Sequence, residues 1–291
     1  MPSAPHLFKA DAVSHSFEEN RARLSPLQTG LITLWRTPAL NRVFNAAVPF
    51  APGPVRGWVE RQRARIREAD LRAQIRSRSR LVPENELRRL LARGLRRLLE
   101  RQQASSLGAY LEFGVYNGTS LLCMYRELEA LALNHVRLFG FDSFQGLPPE
   151  AALEDEGRWE PGRCYSPLEF TTAVLASEGV DWSRVSLVPG WFSDTLKPET
   201  RQALGIEKAS VIMIDCDLYS SSKRALDFCA PLIAEEALVL FDEFHPRGLA
   251  GKRAGERRAF DEFVREWPCF TFEPFGQYAP RTETFIVRRR S

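Results

Sequence analysis

Carboxylates recur at one kind of place in this sequence, immediately after a short apolar run. Glu112 lies in LEFG, Asp142 follows Val136 to Phe141, Asp215 follows Ser210 to Ile214, and Asp242 with Glu243 follows Ala237 to Phe241. If those runs are parallel strands, the acids stand where open α/β sheets bind ligands, beyond the carboxyl ends. Asp215, Asp242 and Glu243 should end adjacent strands, and three unpaired anions crowded together are unfavourable. A hard divalent cation with oxygen ligands, magnesium above all, relieves that repulsion and leaves positions open for a substrate oxygen. Asp217, in IDCDLY, is a further ligand, an orienting group or a substrate contact. The alternative use of these acids is as helix caps or as partners of Lys223, Arg224 or Arg247. None of the four histidines, His6, His15, His135 and His245, shows zinc spacing. His245, two residues after Glu243, is either a general base near the cation or an exposed loop residue.

A second constellation is the stretch Leu111 to Ser120, LEFGVYNGTS, which reads as a buried strand breaking into a glycine turn and then a helix. Gly114 and Gly118 permit close backbone approach, Asn117 or Thr119 can cap the helix, and a ligand fits against its N-terminus. The pattern is E-x-G-x-x-x-G-x-S rather than the G-x-G-x-x-G of a dinucleotide site. The Glu112 carboxylate would repel a pyrophosphate but suits a ligand with ammonium and sulfonium centres, which favours S-adenosylmethionine over NAD. Asp142 follows Gly118 at about the twenty-residue spacing at which an acid on the second strand meets ribose hydroxyls. Its other reading is an N-cap or turn within DSFQGLP.

The elements that must position these groups alternate. Strand Ala109 to Phe113 is followed by helix Ser120 to Leu133, strand Val136 to Phe141, helix Pro167 to Ser177 and strand Val185 to Val188. Strand Ser210 to Ile214, helix Ser220 to Ile233 and strand Ala237 to Phe241 continue the series. Apolar on both faces, such strands belong to a parallel sheet covered on both sides, a doubly wound Rossmann-like α/β fold. Helix Gly255 to Trp267 and the runs Phe270 to Phe275 and Thr282 to Val287 follow, the last two reading as an antiparallel hairpin at the sheet edge. Upstream, Gly57 to Arg80 is an arginine-rich helix. Beyond Pro83 a second helix carries Leu87, Leu90, Leu91, Leu95, Leu98 and Leu99 at core-facing spacing. The expected organisation is a helical extension over 1–104, giving lid, acceptor or oligomer contacts, and an α/β domain over 105–291.

The net charge of +3 hides a local asymmetry, since Arg56 to Arg101 holds fifteen arginines against six carboxylates. That stretch suggests a solvated face with internal pairs or a homo-oligomer contact, ahead of nucleic-acid binding, because Trp58 alone supplies an aromatic there. The five scattered cysteines lack C-x-x-C spacing and suggest reduced thiols and a cytoplasmic setting. Neither a secretion signal nor a membrane span is expected, the apolar stretch Ala225 to Phe241 being broken by Pro231, Glu235 and Glu236.

Five blocks in order, LEFGVYNGTS, FGFDSFQGLP, VPGWFSDTL, IDCDLYSSSKRAL and VLFDEF, resemble the macrocin and mycinamicin O-methyltransferase family over roughly Gly108 to Val287. These are magnesium-dependent enzymes that methylate sugar hydroxyls of natural products. The resemblance implies a class I methyltransferase fold, with S-adenosylmethionine at the Glu112 to Ser120 loop: Glu112, Gly114, Gly118 and Asp142, lined by Tyr116, Ser143 and Phe144. It also implies metal ligation by Asp215, Asp242 and Glu243. One departure is the strand-five motif, two aspartates and an aromatic in the family but Asp242-Glu243-Phe244 here, with a longer second carboxylate. The function expected is methyl transfer to a hydroxyl of a sugar or glycosylated natural product. Asp215 would serve at the metal and His245 as base. Competing readings are a NAD-dependent oxidoreductase, opposed by Glu112 and the missing third glycine, and an RNA methyltransferase using the arginine helices. An anionic acceptor such as a nucleotide-linked or lipid-linked sugar is the remaining alternative.

Overall fold

The structure, a computed structural model, describes residues 52–245 and 254–290 together with the isolated positions Ala46 and Pro49. The runs Leu31 to Trp35 and nearly all of Val43 to Val48, like Arg247, lie outside the described residues. Two compact units divide the chain, Met1–Ser79 and Arg80–Ser291. In the first, helix α1 (Gly53–Arg76) begins four residues earlier than the sequence pattern suggests. Pro54 sits in its first turn, where a missing N–H costs nothing. Most of its side chains are exposed, Val59 and Ile75 being buried. Glu68 and Arg72 pair across one turn at 2.5 Å, worth only a few tenths of a kcal/mol at about 0.2–0.5 on an exposed helix.

The second unit opens with helix α2 (Glu84–Leu99), whose Leu87, Leu90, Leu91, Leu95 and Leu98 form one buried stripe. It packs against the α/β sheet, so the compact unit starts ahead of the boundary expected at residue 105. Gly94 lets the helix lie close, since a methyl there would stand 2.4 Å from Leu238 Cδ2. The sheet has seven strands: β1 (Ala109–Phe113), β2 (Leu138–Asp142), β3 (Val185–Pro189), β4 (Ala209–Ile214), β5 (Glu236–Phe241), β6 (Phe270–Gly276) and β7 (Glu283–Arg289). Their order is β3-β2-β1-β4-β5-β7-β6. The first five run parallel, β7 is antiparallel to β5, and β6 is antiparallel to β7. The expected hairpin is therefore present, with its second strand inserted between β5 and the first.

Helices cover both faces because successive strand residues, which point to opposite faces, are apolar alike, as the fully buried β4 and β5 show. On one face Tyr110, Met213, Leu238, Leu240 and Ile286 pack with the leucines of α2 and with Leu121, Leu122 and Leu128 of α3 (Thr119–Ala130). On the other, Phe113, Phe141, Ile214, Val239 and Phe241 pack with Phe228 of α7 (Tyr219–Cys229) and with Phe260 and Phe263 of α8 (Gly255–Glu266). Phe113 and Phe141 stack at 5.2 Å across neighbouring strands. Helix α4 (Leu168–Ser177) and the short α5 (Phe192–Thr195) and α6 (Pro198–Leu204) complete the connections. With the core on both faces, the carboxyl edge of β1, β2, β4 and β5 is where polar groups collect.

Candidate functional site

Directly after β1 the backbone turns at Gly114 with φ 89°, and a Cβ there would lie 1.8 Å from the carbonyl oxygen of Asp215. The glycine turn therefore abuts the exit of β4, and no side chain fits between them. Tyr116 follows in the left-handed region at φ 50°, and Gly118 at φ 82° leads into α3. Asp142 fastens this turn to the end of β2: its Oδ2 accepts the N–H groups of Val115 and Tyr116 at 2.8 and 2.9 Å, and its Oδ1 accepts that of Phe144 at 2.7 Å. A carboxylate has about four lone-pair sites, so these three bonds leave one on Oδ1 for a ligand hydroxyl. Burial raises the Asp142 carboxyl, while the three backbone donors hold it down. Thr171 of α4 donates to the Tyr116 carbonyl at 2.6 Å, completing the frame.

Glu112 is placed differently from the residues around it. Fully buried, it accepts the Tyr110 hydroxyl at 2.5 Å and the Ser120 hydroxyl at 2.7 Å. Burial dominates and pushes its carboxyl up to about 8, the two hydroxyls opposing. Both oxygens are thus engaged inside the core, beneath the turn, and Ser120 is anchored to them. Ser143 shapes the next loop, donating to the Gly146 carbonyl at 2.8 Å and accepting the Gln145 N–H at 3.0 Å. Phe144, at φ 52°, is buried.

At the ends of β4 and β5 the acids gather. Asp215 is half-buried, and its carboxyl is held well above the usual range by burial, then by Asp242 and Asp217. Asp217, at φ 62°, is raised to about 7 by burial, then by Glu243 and Asp242. Asp242 is raised by burial, against which Tyr278 and Arg281 act. The Tyr278 hydroxyl donates to Asp242 Oδ1 at 2.5 Å, and Arg281 Nη2 stands 3.0 Å from Glu243 Oε1. His245 is exposed at the rim; its N–H donates to the Arg281 carbonyl at 2.9 Å, and its Nε2 lies 3.3 Å from Glu283 Oε2. Lys223 pairs instead with Asp227 at 2.6 Å and Glu266 at 2.7 Å, so it does not neutralise the cluster.

Three neighbours escaped the sequence reading. Glu256, in the first turn of α8, is fully buried, accepts the Glu243 N–H on Oε2 at 3.0 Å and has no hydrogen bond on Oε1. Its carboxyl is held well above normal by burial and then by Asp242 and Asp217. An acid in AGERRAF reads as surface, and only the packing of α8 reveals it. Tyr278 and Arg281 lie in the β6–β7 turn, and the signal that places them is the pairing of β7 with β5. The connection after β2 is also tied down: Glu154 accepts the Ser220 N–H at the start of α7 at 2.9 Å, and Asp155 accepts that of Gly255 at the start of α8, also at 2.9 Å.

Among the described residues no three His, Cys, Asp or Glu side chains are arranged to enclose a metal ion. The acids nevertheless fit a hard cation by donor type and by charge, because Asp242 and Asp217 raise the affinity of Asp215 for a proton, and Glu243 and Asp242 raise that of Asp217. Magnesium asks no more, since it usually takes one or two carboxylates and keeps several waters.

The profile of the macrocin O-methyltransferase family (TylF) matches residues 64–265, well over half of the chain. A rhamnosyl-tetracenomycin C 4'-O-methyltransferase of Streptomyces olivaceus is 32% identical over 143 residues, 47% of this chain and 53% of that protein. Demethyldecarbamoylnovobiocin O-methyltransferase of Streptomyces niveus is 25% identical over 181 residues, 60% of this chain and 66% of that one. The matches thus span from about half to just under two thirds of these relatives. The solved O-methyltransferase NovP superposes with a TM-score of 0.54 at 19% identity, covering 70% of this chain and 80% of its own. CalS11, a calicheamicin methyltransferase, gives 0.50 at 19% identity over 86% and 93%. At that identity the two structures establish the fold, a class I methyltransferase fold. With the family profile spanning the glycine turn and every acid of the cluster, the chain belongs to the macrocin O-methyltransferase family.

Proposed function

We propose that this protein transfers the methyl group of S-adenosylmethionine to a hydroxyl of a sugar or glycosylated natural product, with a divalent cation, magnesium, at the acid cluster. The observation that carries this reading is the contact between Gly114 and the Asp215 carbonyl, which makes a cofactor turn and an acid cluster parts of one edge. The Streptomyces olivaceus relative is by name a 4'-O-methyltransferase of a rhamnosyl-tetracenomycin C, which supports the acceptor class. In this reading the Gly114 to Ser120 turn and α3 receive the cofactor, Asp142 takes a ribose hydroxyl on its remaining lone pair, and Tyr116, Ser143 and Phe144 shape the walls. Glu112 acts from beneath by holding Ser120. Asp215 and Asp242 hold the cation, with Asp217 and Glu243 at its border. Bound there, the cofactor supplies the methyl and the cation a Lewis acid that lowers the pKa of the acceptor hydroxyl. The chain's remaining task is to align that hydroxyl and take its proton, for which Asp217 and His245 are the candidates.

The test pairs calorimetry with turnover. S-adenosylhomocysteine should bind and NAD should not. Methyl transfer from labelled S-adenosylmethionine to glycosylated or nucleotide-linked sugars should stop in EDTA and return with magnesium. Preference for NAD would overturn the cofactor assignment, and full activity in EDTA would overturn the cation.

A further inference from the structure

Antiparallel pairing of β7 with β5 brings the turn that feeds β7 back to the edge where Asp242 and Glu243 sit. Thr282, 1% exposed, fixes that turn: its hydroxyl accepts the N–H groups of Tyr278 and Ala279, each at 3.1 Å, and donates to the Ala279 carbonyl at 3.0 Å. From it Tyr278 reaches Asp242 Oδ1, the Arg281 guanidinium reaches Glu243 Oε1, and the Arg281 carbonyl receives the His245 N–H. One short turn thus contacts all three polar residues of the DEFH segment, Asp242, Glu243 and His245.

We propose that Tyr278 and Arg281 are positioning residues with opposite effects on the cation: Tyr278 aims Asp242 at it, and Arg281 draws Glu243 aside and keeps the cation loosely held. This rests on the cation reading above. With Oδ1 held by a buried hydroxyl, rotation of the Asp242 carboxylate is restrained, and Oδ2 is the oxygen left for the cation. Partners that orient metal ligands in this way typically change metal affinity by about 10–100-fold when removed. Arg281 works by charge, since a fixed guanidinium beside two candidate ligands repels a divalent ion. A loosely held cation leaves coordination positions for the acceptor oxygen.

The test uses the full chain saturated with S-adenosylhomocysteine and manganese as probe, the free ion being counted by electron paramagnetic resonance. Tyr278→Phe should weaken manganese binding by about tenfold. Arg281→Gln should tighten it severalfold, and Arg281→Lys should restore the wild-type affinity. S-adenosylhomocysteine affinity should be unchanged in all three. A turn that merely supported the fold would move both affinities in the same direction, so parallel shifts, or a manganese shift below about twofold in Tyr278→Phe or Arg281→Gln, overturn the proposal. Should Tyr278→Phe fail to fold, Arg281, whose side chain is 44% exposed, carries the test alone, and failure to tighten overturns it. If the wild type binds no manganese, the cation reading falls and this proposal with it.

Discussion

Glu112 makes a pH signature out of a single side chain. Its carboxyl binds a proton more tightly in the folded chain, at about 8, than at the ordinary 4.5 of an exposed glutamate. The stability it contributes is therefore complete below the unfolded value and is lost as pH rises through the folded one. Between pH 5 and 9 that loss should be on the order of 4 kcal/mol. Glu112→Gln, which stays neutral, should flatten this slope, and urea midpoints at the two pH values would show it. Asp142 is the other single-residue test. Asp142→Ala removes the acceptor of three backbone N–H groups and should weaken S-adenosylhomocysteine binding by about 1–3 kcal/mol in calorimetry. Both acids were legible as strand-end groups, but what each does was not: that depends on Tyr110, Ser120 and the N–H groups of Val115, Tyr116 and Phe144, which the chain brings to them only when folded.

Among elements, the junction of β1 with β4 is the least tolerant. Gly114→Ala would place a methyl against a backbone oxygen in a left-handed turn, and loss of more than about 2 kcal/mol of stability, with loss of cofactor binding, should follow in thermal and calorimetric measurements. The parallel strands could be read in advance because strands covered on both faces must be continuously apolar, as Ser210 to Ile214 and Ala237 to Phe241 are. The glycine turn could be read because few residues other than glycine allow its geometry. The β6–β7 turn could not, since nothing local in GQYAPRTE says that it returns to β5. Glu256 was hidden for a related reason: it opens a helix whose other early residues are arginines, and burial of that first turn is a property of packing.

For the molecule as a whole, charge is the question that activity does not answer. Helix α1 carries most of its arginines exposed, but Glu68 pairs with Arg72, and aromatic groups for stacking on bases are sparse. The protein should therefore bind mixed DNA and RNA weakly at physiological salt in fluorescence anisotropy, and a steep salt dependence reporting many phosphates would reverse that expectation. Among the described residues no helix is long and apolar enough to cross a membrane. The placement of β7 between β5 and β6 also has a meaning for biosynthesis. Strands leave the ribosome in chain order, so β6 emerges before the strand that joins it to the sheet. Until residues 283–289 are made, β5 keeps an open, apolar edge and β6 has no partner. A nascent chain stalled in the β6–β7 turn would carry its glycine turn and most of its acids, yet expose the kind of edge that chaperones shield and that pairs with other chains.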